Sequence, residues 1–258
     1  IYYRHQHGFD HLKVGIAVPV QRMVASQTSG VMFTIEPVTS DTKKIVIEAI
    51  YGLGEGLVSG EVNPDLYIID KEEMTIISKR ISRQDQKLMR NPRVDNQNPS
   101  IWQPIPAPYR KQQKLPDDEI IQLAKLGKQI EDHYQFPQDI EWAKENSQIY
   151  MVQTRPVTTI KETAETEPEI KAPVLLSGVS ASPGLASGPV KIIREASQID
   201  QVRNGYILAA EMTTPDFVSA MKRAIAIVTN RGGRTAHAAI LSRFLRVPCV
   251  VGIEKATT

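Results

Sequence analysis

The sequence predicts an α/β protein in two parts: an α+β portion built mainly on antiparallel sheet, then a compact α/β domain. Three observations carry this prediction. Short β-branched runs separated by turn residues recur through the first 160 positions and fall into hairpin-like pairs. A stretch with almost no apolar residues interrupts the chain at 161–173. Beyond it, strand-like and helix-like patterns alternate, as they do in α/β architecture.

Taken in order, residues 14–50 carry three strand-like runs, VGIAVPVQRMV, GVMFTI and KIVIEAI. A glycine-dense segment follows, YGLGEGLVSGEVNPD. LYIIDKEEMTIISKRIS reads as a hairpin around a polar KEE turn. Residues 91–116 are rich in proline and amides and read as an irregular excursion. PDDEIIQLAKLGKQIEDHY is an amphipathic helix, with acids at its start and Ile120, Leu123, Leu126 and Ile130 at helical spacing. QDIEWA and IYMVQTRPVT read as strands paired across KENSQ. The acidic stretch 161–173 reads as a linker between a first part, 1–160, and a second, 174–258.

Bulk properties narrow the classes. The length of 258 residues allows one large domain or two ordinary ones. A net charge of +2 disfavours nucleic acid or an anionic membrane as the main partner. No apolar run approaches the roughly 20 residues of a membrane helix, and the start does not resemble a signal peptide. The single cysteine, Cys249, lies in the apolar run VPCVVG and reads as a buried thiol, which points to a reducing cytoplasm. The chain opens without methionine and in mid-pattern, so a piece of a larger protein is expected.

Two stretches carry candidate chemistry. Side chains two apart on a strand share a face. Asp139 and Glu141 therefore lie on one face of the first hairpin strand, and Gln153 and Arg155 on one face of the second. Carboxylate oxygens suit Mg²⁺, and an arginine beside them can grip a phosphoryl group. The same spacing also fits a solvated, salt-bridged hairpin face. In GGRTAHAAILSRFL, glycines let the loop approach a ligand closely. Thr235 reads as an N-cap that places His237 in the first turn, where helix N–H groups favour an anion and a neutral imidazole. Histidine can act as a covalent nucleophile, and Arg234 and Arg243 offer charge to a phosphoryl group there. A structural histidine at a helix start satisfies the same local pattern.

GGRTAHAAILSR…VPCVVG resembles the phosphohistidine signature of the phosphoenolpyruvate-utilising enzymes. ASPGLASGPV and TTPDFVSAMKRAIAIVTNRGG are similar to that family's swivelling domain. QRMV, SGVMFT, YGLGEGLVSGEVNPD and PQDIEWA…IYMVQTRPVT are similar to the later part of its ATP-grasp domain.

The resemblance implies an ATP-dependent dikinase acting on ATP, pyruvate and water with Mg²⁺, through a phosphohistidine at His237. It implies metal positions at Glu141 and Gln153, and polar and phosphate-binding neighbours at Asp139 and Arg155. It further implies adenine contacts at Gln21, Met23 and Val24, a ribose contact at Glu55 and a regulatory phosphorylation site at Thr235. Neither nucleic acid nor membrane is an implied partner, and the full-length family member is expected to be a homo-oligomer. A pyruvate, phosphate dikinase, an antibiotic phosphotransferase and a non-catalytic phosphocarrier are the alternatives. The piece alone is expected to be inactive, because the pyruvate-binding barrel and the front of the ATP-grasp domain are absent. Two positions depart from the pattern: Arg246 where glycine is usual, and Ala236 where cysteine is common.

Overall fold

In KIVIEAIY, a single carboxylate interrupts an otherwise apolar stretch, and this stretch is a central strand buried on both faces. The computed structural model describes residues 8–10, 13, 15, 17–92, 99–157 and 173–258. In chain order the first part contains β1 (Thr28–Phe33), β2 (Lys44–Tyr51), α1 (Glu55–Val58), β3 (Asp65–Asp70), β4 (Ile76–Arg80), β5 (Gln86–Arg90), β6 (Ser100–Pro104), α2 (Asp117–Tyr134), β7 (Gln138–Glu145) and β8 (Gln148–Pro156). Six of these strands form an antiparallel sheet in the order β4-β3-β2-β1-β7-β8. The second part contains β9 (Val179–Ser182), β10 (Val190–Ile193), β11 (Ile207–Ala210), α3 (Val218–Arg223), β12 (Ala226–Thr229), α4 (His237–Leu245) and β13 (Cys249–Val251). Its sheet runs β10-β11-β12-β13-β9, parallel except for β9.

The alternation of β1 and β2 assigns their side chains to two cores. Met32, Ile45 and Ile47 face α2, where they meet Ile120, Leu123 and Ala124. Val31, Phe33, Val46 and Ile50 face the other way, into a cluster continuous with Leu208, Phe217, Ala238 and Val251 of the second part. The second part therefore packs on the sheet face opposite α2. Cys249 is buried there, and desolvation pushes its thiol up to about 11, as expected of an inert cysteine.

Some expectations are corrected. Residues 17–24 are irregular rather than a strand. Pro19 lacks an N–H for a ladder, and both edges of β1 are taken, by β2 and β7. The stretch 91–116 is not wholly irregular: β6 pairs with β5, with Trp102 opposite Leu88. Its later part is tied down at Lys114, whose Nζ donates to Asp65 Oδ1 at 2.7 Å with both side chains fully buried. Asp65 also accepts from Tyr67 Oη (2.8 Å), Ser82 N (2.9 Å) and Lys114 N (2.9 Å), so the pair is hydrogen-bonded as a buried charge must be. The linker expected at 161–173 falls almost wholly on 158–172, outside the described residues.

Candidate functional site

The hairpin of β7 and β8 turns at Asn146 and Ser147, with Asn146 at φ +55°, a value asparagine tolerates. Its register sets Asp139 opposite Arg155 and Glu141 opposite Gln153. Arg155 directs both Nε and NH2 to Asp139 Oδ2, each at 2.9 Å, so its grip converges on one carboxylate oxygen. Burial pushes the Asp139 carboxyl up, and the Arg155 guanidinium opposes that shift. Gln153 Nε2 lies 3.4 Å from Glu141 Oε1, a long contact. A bulge after Glu141 sets Trp142 opposite Met151, so the strict alternation expected for β8 breaks at Val152. Among the described residues no group of three or more His, Cys, Asp or Glu forms a metal cluster. Two carboxylates and an amide oxygen nevertheless fit Mg²⁺, which takes few protein ligands and completes its shell with water and phosphate.

The sheet registers place this strip beside a buried carboxylate. Glu48 pairs with Val31, Val31 with Glu141, and Glu141 with Gln153, so the four form one transverse row. Glu48 and Glu141 are two strands apart, about 10 Å. Glu48 is fully buried, and desolvation pushes its carboxyl up.

Glu48 is the seat of the histidine loop. Its Oε1 accepts from Arg234 N at 2.6 Å and its Oε2 from Thr235 Oγ1 at 3.0 Å. The Arg234 guanidinium ion-pairs with Glu36, and Gly232 N donates to Asn63 Oδ1 at 2.9 Å. The two loop glycines have separate causes. Gly232 sits at φ +110°, while a Cβ on Gly233 would lie 2.5 Å from Glu48 Oε1 and 2.7 Å from Pro64 Cγ. The close approach that the glycines permit is therefore to the first sheet.

Thr235 does not cap the helix. Ala236 is the N-cap of α4 and has no side-chain acceptor to cap it, while the Thr235 hydroxyl is committed to Glu48. His237 is the first helical residue and is half-buried. Its Nδ1 lies 2.9 Å from the Thr213 hydroxyl, which leaves Nε2 for chemistry. Burial lowers its pKa, so the ring is neutral at pH 7. Arg243 reaches back along α4, with NH2 2.9 Å from Arg234 O and NH1 3.1 Å from Ala181 O. Its charge acts on both Glu48 and Asp139, joining the loop to the hairpin strip. Arg246 occupies the helix C-terminus at φ +57°, the left-handed position that favours glycine.

Asp139, Glu141, Gln153 and Arg155 thus share one sheet face, Thr235 is seated on that face through Glu48, and His237 lies two residues further on, against Thr213. Gln21, Met23 and Val24 lie in irregular chain before β1, the first two exposed and Val24 half-buried. Glu55 is exposed at the start of α1. Sequence reasoning missed Glu36, Glu48, Asn63 and Thr213. For Glu48 a signal existed, a lone carboxylate inside an apolar strand. For the other three, only the tertiary contacts mark a role.

Residues 1–173 match the family described as pyruvate phosphate dikinase, AMP/ATP-binding domain, and residues 202–258 match the PEP-utilising enzyme, mobile domain. The chain is 49% identical over 263 residues to a phosphoenolpyruvate synthase of Pyrococcus furiosus, covering 99% of this chain and 32% of that protein. It is 50% identical over 262 residues to a probable phosphoenolpyruvate synthase of Archaeoglobus fulgidus, covering 100% and 34%. A phosphoenolpyruvate synthase of Aquifex aeolicus is 42% identical over 282 residues, covering 100% and 33%. The chain spans about a third of the length of these relatives.

Proposed function

Because the chain belongs to the family of PEP-utilising enzymes with a pyruvate phosphate dikinase AMP/ATP-binding domain, we propose that it is the nucleotide-to-histidine part of an ATP-dependent pyruvate dikinase. Residues 1–160 are its nucleotide-binding portion, 161–173 a linker and 174–258 the mobile carrier. One observation carries this reading: the loop before His237 is seated on Glu48, in the same transverse row as Glu141 and Gln153. The loop that carries the proposed nucleophile and the proposed donor strip thus meet the same sheet face.

In the reaction proposed, His237 Nε2 attacks the β-phosphorus of ATP, an Nε2–P bond forms, and the bond to the α-phosphate oxygen breaks to release AMP. Water then removes the γ-phosphate, and pyruvate, held elsewhere in the full protein, takes the remaining phosphoryl group to give phosphoenolpyruvate. With Nδ1–H donated to the Thr213 hydroxyl, the tautomer this step needs, the lone pair is on Nε2. Arg155 orients Asp139 and presents its guanidinium to phosphate oxygens. Mg²⁺ at Asp139, Glu141 and Gln153 would neutralise charge on the β- and γ-phosphates. Gln21, Met23, Val24 and Glu55 are proposed for adenosine. Thr235 is proposed as a regulatory phosphorylation site, reachable only when its hydroxyl leaves Glu48.

The test uses the full-length protein with ATP labelled at the β-phosphate, followed by a pyruvate chase. Label on His237 that departs as phosphoenolpyruvate is expected, with loss of labelling in Arg155→Met and His237→Asn. Absence of label in a folded, ATP-binding protein would remove the reading. The matching family's description also carries the word phosphate, so dependence of turnover on added phosphate separates a phosphate-accepting second reading from water.

A further inference from the structure

Arg234 is 7% exposed, yet its bonding is incomplete. One terminal nitrogen pairs with Glu36 and its main-chain N–H with Glu48, while Nε–H is buried with no acceptor among the described residues. A buried guanidinium edge without a protein acceptor leaves room for a further partner, water or an anion. The residue that would bear one is three positions on: Arg234 is the second residue of a tight turn closed by Ala236 N to Gly233 O at 3.2 Å, and His237 follows that turn directly. Arg243 holds the Arg234 carbonyl at 2.9 Å, fixing the main chain from which the guanidinium swings.

We propose that Arg234 holds the phosphoryl group on His237, and that this group and the Glu36 carboxylate compete for its guanidinium. The proposal rests on the reading of His237 as a phosphoryl carrier. A phosphoryl group adds nearly two negative charges at neutral pH, beside a face that already presents Glu36, Glu48, Asp139 and Glu141. Arg234 is the cation able to serve either side. When it turns to the phosphoryl group, Glu36 is not stranded. Its Oε2 keeps Val38 N at 3.0 Å, Thr39 N at 2.5 Å and Thr39 Oγ1 at 2.7 Å. The docking contact loses its ion pair, and the loaded domain is freed from the first sheet. Linkage makes the effect reciprocal: docking disfavours the loaded histidine as much as loading disfavours docking.

The test loads His237 of the full-length protein with phosphoramidate, so that the P–N bond of the reagent breaks, ammonia leaves and ATP plays no part. Two quantities are read: amide exchange at Gly232, whose N–H is bonded to Asn63, and the decay of the phosphohistidine. Loading is expected to speed Gly232 exchange at least tenfold. Arg234→Gln is expected to shorten the phosphohistidine lifetime at least threefold. Asn63→Ala, which loosens docking but keeps the arginine, is expected to leave that lifetime unchanged or lengthen it. Equal lifetimes in wild type and Arg234→Gln, or Gly232 exchange indifferent to loading, would overturn the proposal. Failure of His237 to load would overturn it together with the carrier reading. Loading by phosphoramidate without labelling by ATP would instead remove only the proposed donor.

Discussion

The Thr235 hydroxyl donates to Glu48 Oε2 at 3.0 Å, while the neighbouring Arg234 N–H donates to Oε1 at 2.6 Å. One carboxylate of the first sheet thus reads two consecutive residues of the loop that carries His237. Both donors are buried, so Glu48→Ala leaves two of them unpaired, at a cost of about 2–6 kcal/mol. Amide exchange at Gly232 and Arg234 is expected to rise by orders of magnitude in this variant. Gly233→Ala should act alike by steric exclusion, since its Cβ would meet Glu48 and Pro64. Retained protection in both variants would show that the loop is held by something else.

Burial depresses the His237 pKa below the ordinary value of 6.5. A depressed histidine contributes stability in full above its unfolded pKa and loses it as pH falls through the lower folded one. Phosphorylation of His237 is therefore expected to hold its rate through pH 6.5 and decline only below it. Thr213→Val should cut that rate by losing the bond to Nδ1, worth about 1–2 kcal/mol, or roughly five- to thirty-fold. Thr213→Ser should restore most of it. A pH profile that breaks at or above 6.5 would contradict the burial argument.

Arg246 ends α4 in the left-handed region at φ +57°, where a Cβ is strained. Val247 N still reaches Ser242 O at 3.0 Å and Arg246 N reaches Arg243 O at 3.2 Å, so the closing motif is formed despite the strain. Arg246→Gly is expected to stabilise the chain by about 0.5–1 kcal/mol and to leave phosphorylation of His237 unchanged. Urea titration would show this as a higher midpoint at constant slope. A lower midpoint would mean the arginine makes compensating contacts.

Lys114 and Asp65 form a fully buried ion pair that ties the chain before α2 to β3. Lys114→Met strands the aspartate and is expected to cost about 3–5 kcal/mol. Pairing it with Asp65→Asn should recover part of the loss, because no charge is then left uncompensated although the amide NH2 faces a buried donor. A double variant as unstable as the sum of the singles would contradict this account.

The hairpin strip and the histidine were legible in the sequence because they rest on local rules. A two-residue strand period puts Asp139 with Glu141 and Gln153 with Arg155, and glycines before an apolar helical run put His237 at a helix start. The same local rules misjudged Thr235, which has the residue type of an N-cap but spends its hydroxyl on a carboxylate 187 positions away. They also made a strand of residues 17–24, where β-branched composition held but no free sheet edge lay beside the chain.

The sequence by itself determined the two-part α/β organisation, the pairing of the hairpin and the position of His237 at a helix start. Only the tertiary structure decided that Glu48, Glu36 and Asn63 receive the histidine loop and that Thr213 holds His237. Periodicity reports which side of a strand or helix a residue occupies, and it acts over a few residues. Which distant surface meets that side depends on how two sheets stack, and a buried carboxylate becomes a docking seat only when the guanidinium that balances it arrives from the other end of the chain.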